Sequence, residues 1–304
     1  MDERAPGDRG LNSDGTIARE GALHHVAPPF EPVVATLRSR LTAAFGPALG
    51  ADAADAGAHA DSGLRADAVP RADGEGAAGR LHSAYLYGSI PRGTAVPGRS
   101  DLDVLLALRA EPTPAGRAAA AAVESAIDAE FPQVVGGGIL LASTDTLLSE
   151  SERHDLGFFV ACLCTPLLGE DLADRLPAYR PTALLARETN GDLHLALPDW
   201  RTRAAAARTD TERRALARLV ARRVVRTGFT LVMPWWGGWT SDLDRSAELF
   251  ARHYPEHADR MRTAAAVARK PSADSAVLTM LLDDLGPWLA REYESVHGRK
   301  APRP

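Results

Sequence analysis

Tyr85-Leu-Tyr-Gly-Ser-Ile-Pro-Arg-Gly-Thr-Ala95, followed by Ser100-Asp-Leu-Asp-Val-Leu-Leu-Ala-Leu108, decides how this chain folds. Leu81 to Tyr87 is a mostly apolar run of strand length that stops at Gly88-Ser89. Eleven residues later Asp101 and Asp103 alternate at the start of a second apolar run ending at Leu108. Successive strand side chains point to opposite faces, so the two aspartates share one face. Two carboxylates inside an apolar strand are costly to bury without a cation or partners. Their pairing beside a Gly-Ser turn suits a magnesium–nucleotide site.

Magnesium takes hard oxygen ligands, typically one or two carboxylates completed by phosphate oxygens and water. Asp101 and Asp103 are the candidate ligands and the candidate catalytic residues. Gly88 has no side chain and admits phosphate close to the backbone. Ser89 offers a hydroxyl and is expected to cap a following helix carrying Pro91 in its first turn. The N–H groups of that helix would face an anion. Arg92 is placed to reach the β- or γ-phosphate, and Arg99 is a second candidate for the same task.

Working outward, Val33, Val34, Leu37, Leu41 and Phe45 recur at helical spacing and end at Gly46-Pro47. Residues 1–27 are rich in Gly, Asp and Arg without periodicity and read as a disordered tail. Residues 48–80 are a low-complexity Ala/Asp/Gly run, read as a mobile insertion. Thr113 to Glu130 reads as a capped alanine-rich helix, Gly138 to Ala142 as a third strand, and Leu156 to Leu168 as a buried helix. Helices are then expected over Arg201–Gly228, Ser241–Arg252, Pro255–Arg269 and Ser272–Tyr293, with a break at Pro234-Trp-Trp-Gly-Gly-Trp239. The fold class is α+β. An α/β domain with a mixed sheet spans 28–165, a connecting segment 166–200, and an all-helical domain 201–304, to which the resemblance given below assigns substrate binding.

The 304 residues are 45% hydrophobic, enough for a sizeable core, and carry a formal charge of -5. That balance argues against a general nucleic-acid partner. Cys162 and Cys164 are the only cysteines and read as reduced packing residues of a cytoplasmic protein. No apolar run approaches the roughly 20 residues that span a bilayer, and the first residues lack an apolar signal core. Trp235, Trp236 and Trp239 read as a packed turn, with an aromatic wall for an acceptor as the alternative; Trp200 is the better acceptor-cleft candidate. The arginines from Arg213 to Arg226 read as a solvated or inter-domain helix face.

Gly88-Ser89, eleven residues, and Asp101-Leu-Asp103 resemble the signature of the DNA polymerase β-like nucleotidyltransferases. The α/β domain, the Leu168-Gly-Glu-Asp-Leu172 turn and the helical second half, with Trp239-Thr-Ser-Asp-Leu243 and Tyr254-Pro-Glu256, are similar to aminoglycoside 3''-adenylyltransferases. The resemblance covers 29–47 and 81–293. It implies a magnesium-dependent transfer of AMP from ATP to a hydroxyl of a small acceptor, an aminoglycoside-like antibiotic being the class, bound between the domains.

The sequence departs from that pattern at one point. The family carries a third carboxylate on the strand after Asp-x-Asp, but here that strand is Val134-Val-Gly-Gly-Gly-Ile-Leu-Leu-Ala142. The expected position falls at or near Gly138. Asp145 lies beyond the strand, and Glu188 and Asp192 are the other acids to consider. Two further readings follow: a nucleotide-binding or regulatory protein that has lost the chemistry, and a protein AMP transferase.

Overall fold

A computed structural model of the chain describes residues 9–46 and 80–300. All but the last residue of the 48–80 insertion, and residues 1–8 of the expected tail, fall outside that range. The chain divides into two compact units: Arg19–Pro177, and Ala178–Pro304 together with the residues up to Ala18. The architecture is mixed α/β, with a four-stranded mixed sheet in the first unit and helices throughout the C-terminal part of the second.

In the first unit the sheet order is β3-β2-β1-β4, with β1 at Leu81–Tyr87, β2 at Ser100–Leu108, β3 at Val134–Ser143 and β4 at Cys164–Gly169. β1 is antiparallel to both β2 and β4, whereas β2 and β3 are parallel. A parallel pair needs a long crossover. Helix α2 (Pro114–Glu130) supplies it, and the Thr113 hydroxyl accepts from the Gly116 N–H as its cap.

Helix α1 (Glu31–Phe45) buries Val33, Val34, Leu37, Leu41 and Phe45 in one core with Ala84 and Leu86 of β1, Leu102, Val104, Leu106 and Leu108 of β2, and Ala120, Val123 and Ile127 of α2. Complete burial of a Leu or Phe side chain is worth about 1.5–3 kcal/mol. The odd-numbered side chains face the other way. Leu105 and Ala107 join Tyr85, Leu147, Val160, Cys164 and Leu172 in a second cluster.

Four sequence expectations are corrected here. Leu156–Leu168 is not one helix: a turn of α-helix (α4, Leu156–Phe158) and a π-helical turn (Phe159–Leu163) lead into β4. Pairing with β1 outweighs local helix preference. Pro166 is tolerated because β4 is an edge strand. As β4 completes the sheet, the α/β unit extends past residue 165.

Residues 9–27 are not a structureless tail. Leu11 bridges Ile17, and the Ile17 N–H donates to Tyr179 O (2.7 Å). Asp14 accepts from the Thr16 N–H and hydroxyl (2.9 and 2.6 Å). The turn bonds are local and the Ile17–Tyr179 bond is to a residue far along the chain; neither kind is visible to a periodicity reading.

The helix expected after Ser89 is absent and is taken up below. The expected Arg201–Gly228 helix is divided. Helix α6 (Leu193–Ala206) ends, and α7 (Asp210–Trp236) restarts with a capping box in which Thr209 accepts from the Glu212 N–H and Glu212 from the Thr209 N–H. Helix α7 continues through Pro234 to Gly237, whose φ of 69° provides a left-handed cap.

The helical unit is completed by α5 (Ala183–Asn190), α8 (Leu243–His253, capped by Asp242) and α9 (Ala258–Arg269). A last run follows, α10 (Ser275–Thr279), a π-helical Met280–Leu285 and α11 (Gly286–His297). The four-residue helix α3 (Thr144–Leu147) and α4 belong to the sheet unit. Phe229 packs edge-on against Trp236 and Trp239, both buried, but Trp235 is 52% exposed at the end of α7, so the packed-turn reading holds for two of the three tryptophans. Trp200 is also buried, at 7% exposure, and so is a core residue of α6.

Asp192 pairs with Arg223 and with Lys300 (3.3 Å) inside this unit. Burial alone would raise its carboxyl, but the two cations outweigh that and hold it below the ordinary range. The folded value therefore lies under the unfolded one. The stabilisation is present above the unfolded value of about 3.9 and is lost as pH falls through the folded value. Asp192→Ala is expected to cost about 1.5–3 kcal/mol at neutral pH. It should also flatten the acid limb of a urea-unfolding series recorded from pH 6 to 3.

Candidate functional site

Asp101 and Asp103 stand at the start of β2, on the face opposite α1 and α2, as their alternation with buried Leu102 and Val104 requires. Both are half-buried. Antiparallel pairing sets Asp103 opposite Tyr87, the last residue of β1. Gly88 comes next, with a φ of 82°, a left-handed conformation that favours glycine.

The Asp103 carboxylate occupies the space a side chain at 88 would need: a Cβ there would lie 2.6 Å from Asp103 Oδ2. Gly88 thus serves both the turn and the close seating of the carboxylate. Gly88→Ala is expected to cost about 1–3 kcal/mol through the left-handed backbone and to displace Asp103. A thermal melt and a magnesium titration would report the two effects separately.

Ser89 is half-buried, and its carbonyl accepts from the Thr94 N–H (3.0 Å). The Gly93 N–H donates to Ile90 O (3.1 Å), so residues 89–94 form successive turns and not a helix. The expected helix does not form, because Gly93 adopts a φ of 72°, a left-handed conformation that ends the turns. Any anion contact at Ser89 would rely on its hydroxyl and on individual turn N–H groups. Buried Ile90 anchors the loop in the α1/α2 core.

Arg92 does not stand alone. Its Nη1 lies 3.3 Å from Glu20 Oε2, a contact missed because Glu20 belonged to the supposed tail. Arg99 is exposed in the last turn before β2. Tyr87, whose ring meets Phe159 edge-on at 4.8 Å, is a second neighbour that the sequence reading passed over. Strand alternation and the β1/β2 register were the signal that could have found it.

On its other side Asp103 is in register with Gly138 of β3. Adjacent strands lie about 4.8 Å apart, so this glycine is the lateral neighbour of the carboxylate. A Cβ on Gly138 would meet no atom within 4 Å, whereas one on Gly137 would strike Leu102 O at 2.2 Å. Asp145 is exposed on α3, past the end of β3. Glu188 pairs with Arg187 (2.7 Å) and Asp192 with Arg223, both within the helical unit. Among the described residues, no group of three or more His, Cys, Asp or Glu side chains is arranged to hold a metal ion.

Cys162 and Cys164 are free and buried. Burial pushes the Cys162 thiol up to about 12 and raises that of Cys164 as well, which fits packing residues and not nucleophiles. The Tyr85 hydroxyl, also raised to about 12 by burial, accepts from the Leu172 N–H (2.7 Å) and ties β1 to the turn after β4. Among the described residues, no helix is long and apolar enough to cross a membrane. No protein-family model matches the chain, and no curated protein matches it.

Proposed function

We propose that the chain is a magnesium-dependent nucleotidyltransferase of the polymerase β-like type that transfers AMP from ATP to a hydroxyl of a small, aminoglycoside-like acceptor. The observation carrying this reading is the seating of Asp103 against Gly88, with Asp101 on the same face of β2. Two partly exposed carboxylates beside a side-chain-free turn are a donor set that fits magnesium with a phosphate ligand. When bound, magnesium would neutralise charge on the triphosphate and acidify the attacking hydroxyl.

The residues themselves have simpler tasks. Asp101 and Asp103 offer oxygen ligands, Gly88 leaves room at the backbone, the Ser89 hydroxyl donates to a phosphate oxygen, and Arg92 adds positive charge, with Arg99 as a further cation. Titration of the chain with Mg-ATP by calorimetry, followed by measurement of pyrophosphate release across hydroxylated acceptors, tests the reading. Sustained release with an aminoglycoside-class acceptor supports it, and absence of Mg-ATP binding sinks it.

A second reading is favoured by Gly138. Glycine at the lateral neighbour of Asp103 leaves the site with two acids where the resembled family has three. Binding of Mg-ATP without pyrophosphate release would mark a nucleotide-binding protein that has lost the chemistry.

A further inference from the structure

We propose that Glu20 is a positioning residue that holds the Arg92 guanidinium ready for the β- and γ-phosphates of a nucleoside triphosphate; this rests on the nucleotidyltransferase reading above. Arg92 projects from a loop in which Gly93, Thr94 and residues 96–99 are exposed. A long arginine side chain on such a loop carries about 2 kcal/mol of rotamer entropy, part of which is lost on gripping a ligand. Glu20 Oε2 meets Arg92 Nη1 at 3.3 Å, with the two side chains 16% and 31% exposed.

Glu20 is a firm anchor because the chain on either side of it is bolted down. Arg19 pairs with Asp171 at 2.7 Å and donates through Nε to Ala161 O at 3.1 Å. The Glu20 N–H donates to Cys162 O (3.0 Å), and the Ala22 N–H to Pro91 O (2.9 Å), the residue next to Arg92. Between them Gly21 is packed so closely that a Cβ would lie 2.5 Å from Thr165 Oγ1 and 3.0 Å from Pro91 Cβ. Residues 19–22 are therefore a strap joining the β4 region to the loop that bears the candidate site.

The contact is single, whereas a guanidinium presents five N–H donors in a planar fork. A bidentate pair would commit one edge of the fork; one long contact orients the group and leaves donors for phosphate. The Glu20 carboxylate also repels phosphate. The two effects oppose one another, and the proposal requires that ordering the arginine outweigh the repulsion, which the titration below reads directly.

The test compares wild type, Glu20→Gln, Arg92→Ala and the double variant as full chains, titrated by calorimetry with Mg-ATP and with AMP. Glu20→Gln is expected to weaken Mg-ATP about three- to tenfold, the scale of immobilising one long side chain. It should leave AMP, which lacks the β- and γ-phosphates, unchanged. In the Arg92→Ala background the Glu20 substitution should have no further effect. Mg-ATP binding by Glu20→Gln as tight as wild type or tighter overturns the proposal, as does an equal loss in both backgrounds. A wild-type chain that binds no Mg-ATP overturns the nucleotide reading of the site, and this inference with it.

Discussion

Asp103→Asn is expected to abolish detectable Mg-ATP binding and to lower AMP transfer by on the order of 10³, the equivalent of about 4 kcal/mol of lost charge stabilisation. Asparagine is nearly isosteric, so the seat against Gly88 is kept, and only the negative charge and one hard oxygen are lost. The strand should survive. Asp103 sits near the start of β2, half-buried, while Val104 to Leu108 are all fully buried and carry the packing. The measurement is calorimetric titration beside a thermal melt. A melt close to wild type with binding lost assigns the carboxylate to the ligand; wild-type turnover in this variant would remove Asp103 from the mechanism.

Gly138→Asp is the second large effect expected, and its direction is a gain. The position is in register with Asp103, its φ is not in the left-handed region, and a Cβ there meets nothing within 4 Å. Replacing glycine inside a strand also removes backbone freedom from the unfolded chain, worth roughly 0.5–1 kcal/mol, which offsets the like-charge repulsion from the neighbouring Asp103, so the variant should fold close to wild type. The side chain would fall on the Asp103 face, since lateral neighbours in a sheet point the same way.

If transfer in the natural chain runs without a positioned base, an acid here should raise turnover by on the order of 10², the lower end of what a general base contributes. Pyrophosphate release under saturating Mg-ATP checks it. Unchanged release from a folded variant that still binds Mg-ATP would show that the lack of an acid at position 138 does not limit transfer.

Glu20 and Asp192 illustrate how little an acid's role shows in local sequence. Both are lone carboxylates in unremarkable sequence. One meets Arg92 of the candidate site, and the other is locked between Arg223 and Lys300 of the helical unit. Nothing in local spacing separates the two cases, because each partner lies tens of residues away in the chain.

The local patterns were readable. Period-two alternation set Asp101 and Asp103 on one face, period 3.6 marked α1, and Thr113 marked the start of α2. These follow from side-chain direction and capping, which act over a few residues and are written in order along the chain. Tertiary structure alone decided the rest. Cys164–Gly169 became a strand because β1 offered it an edge, and residues 9–27 took their order from distant backbone partners. The register that sets Gly138 beside Asp103, and the strap that brings Glu20 to Arg92, are of the same kind. Such contacts join residues far apart in sequence, and their energy depends on pairing and close packing that no local window contains.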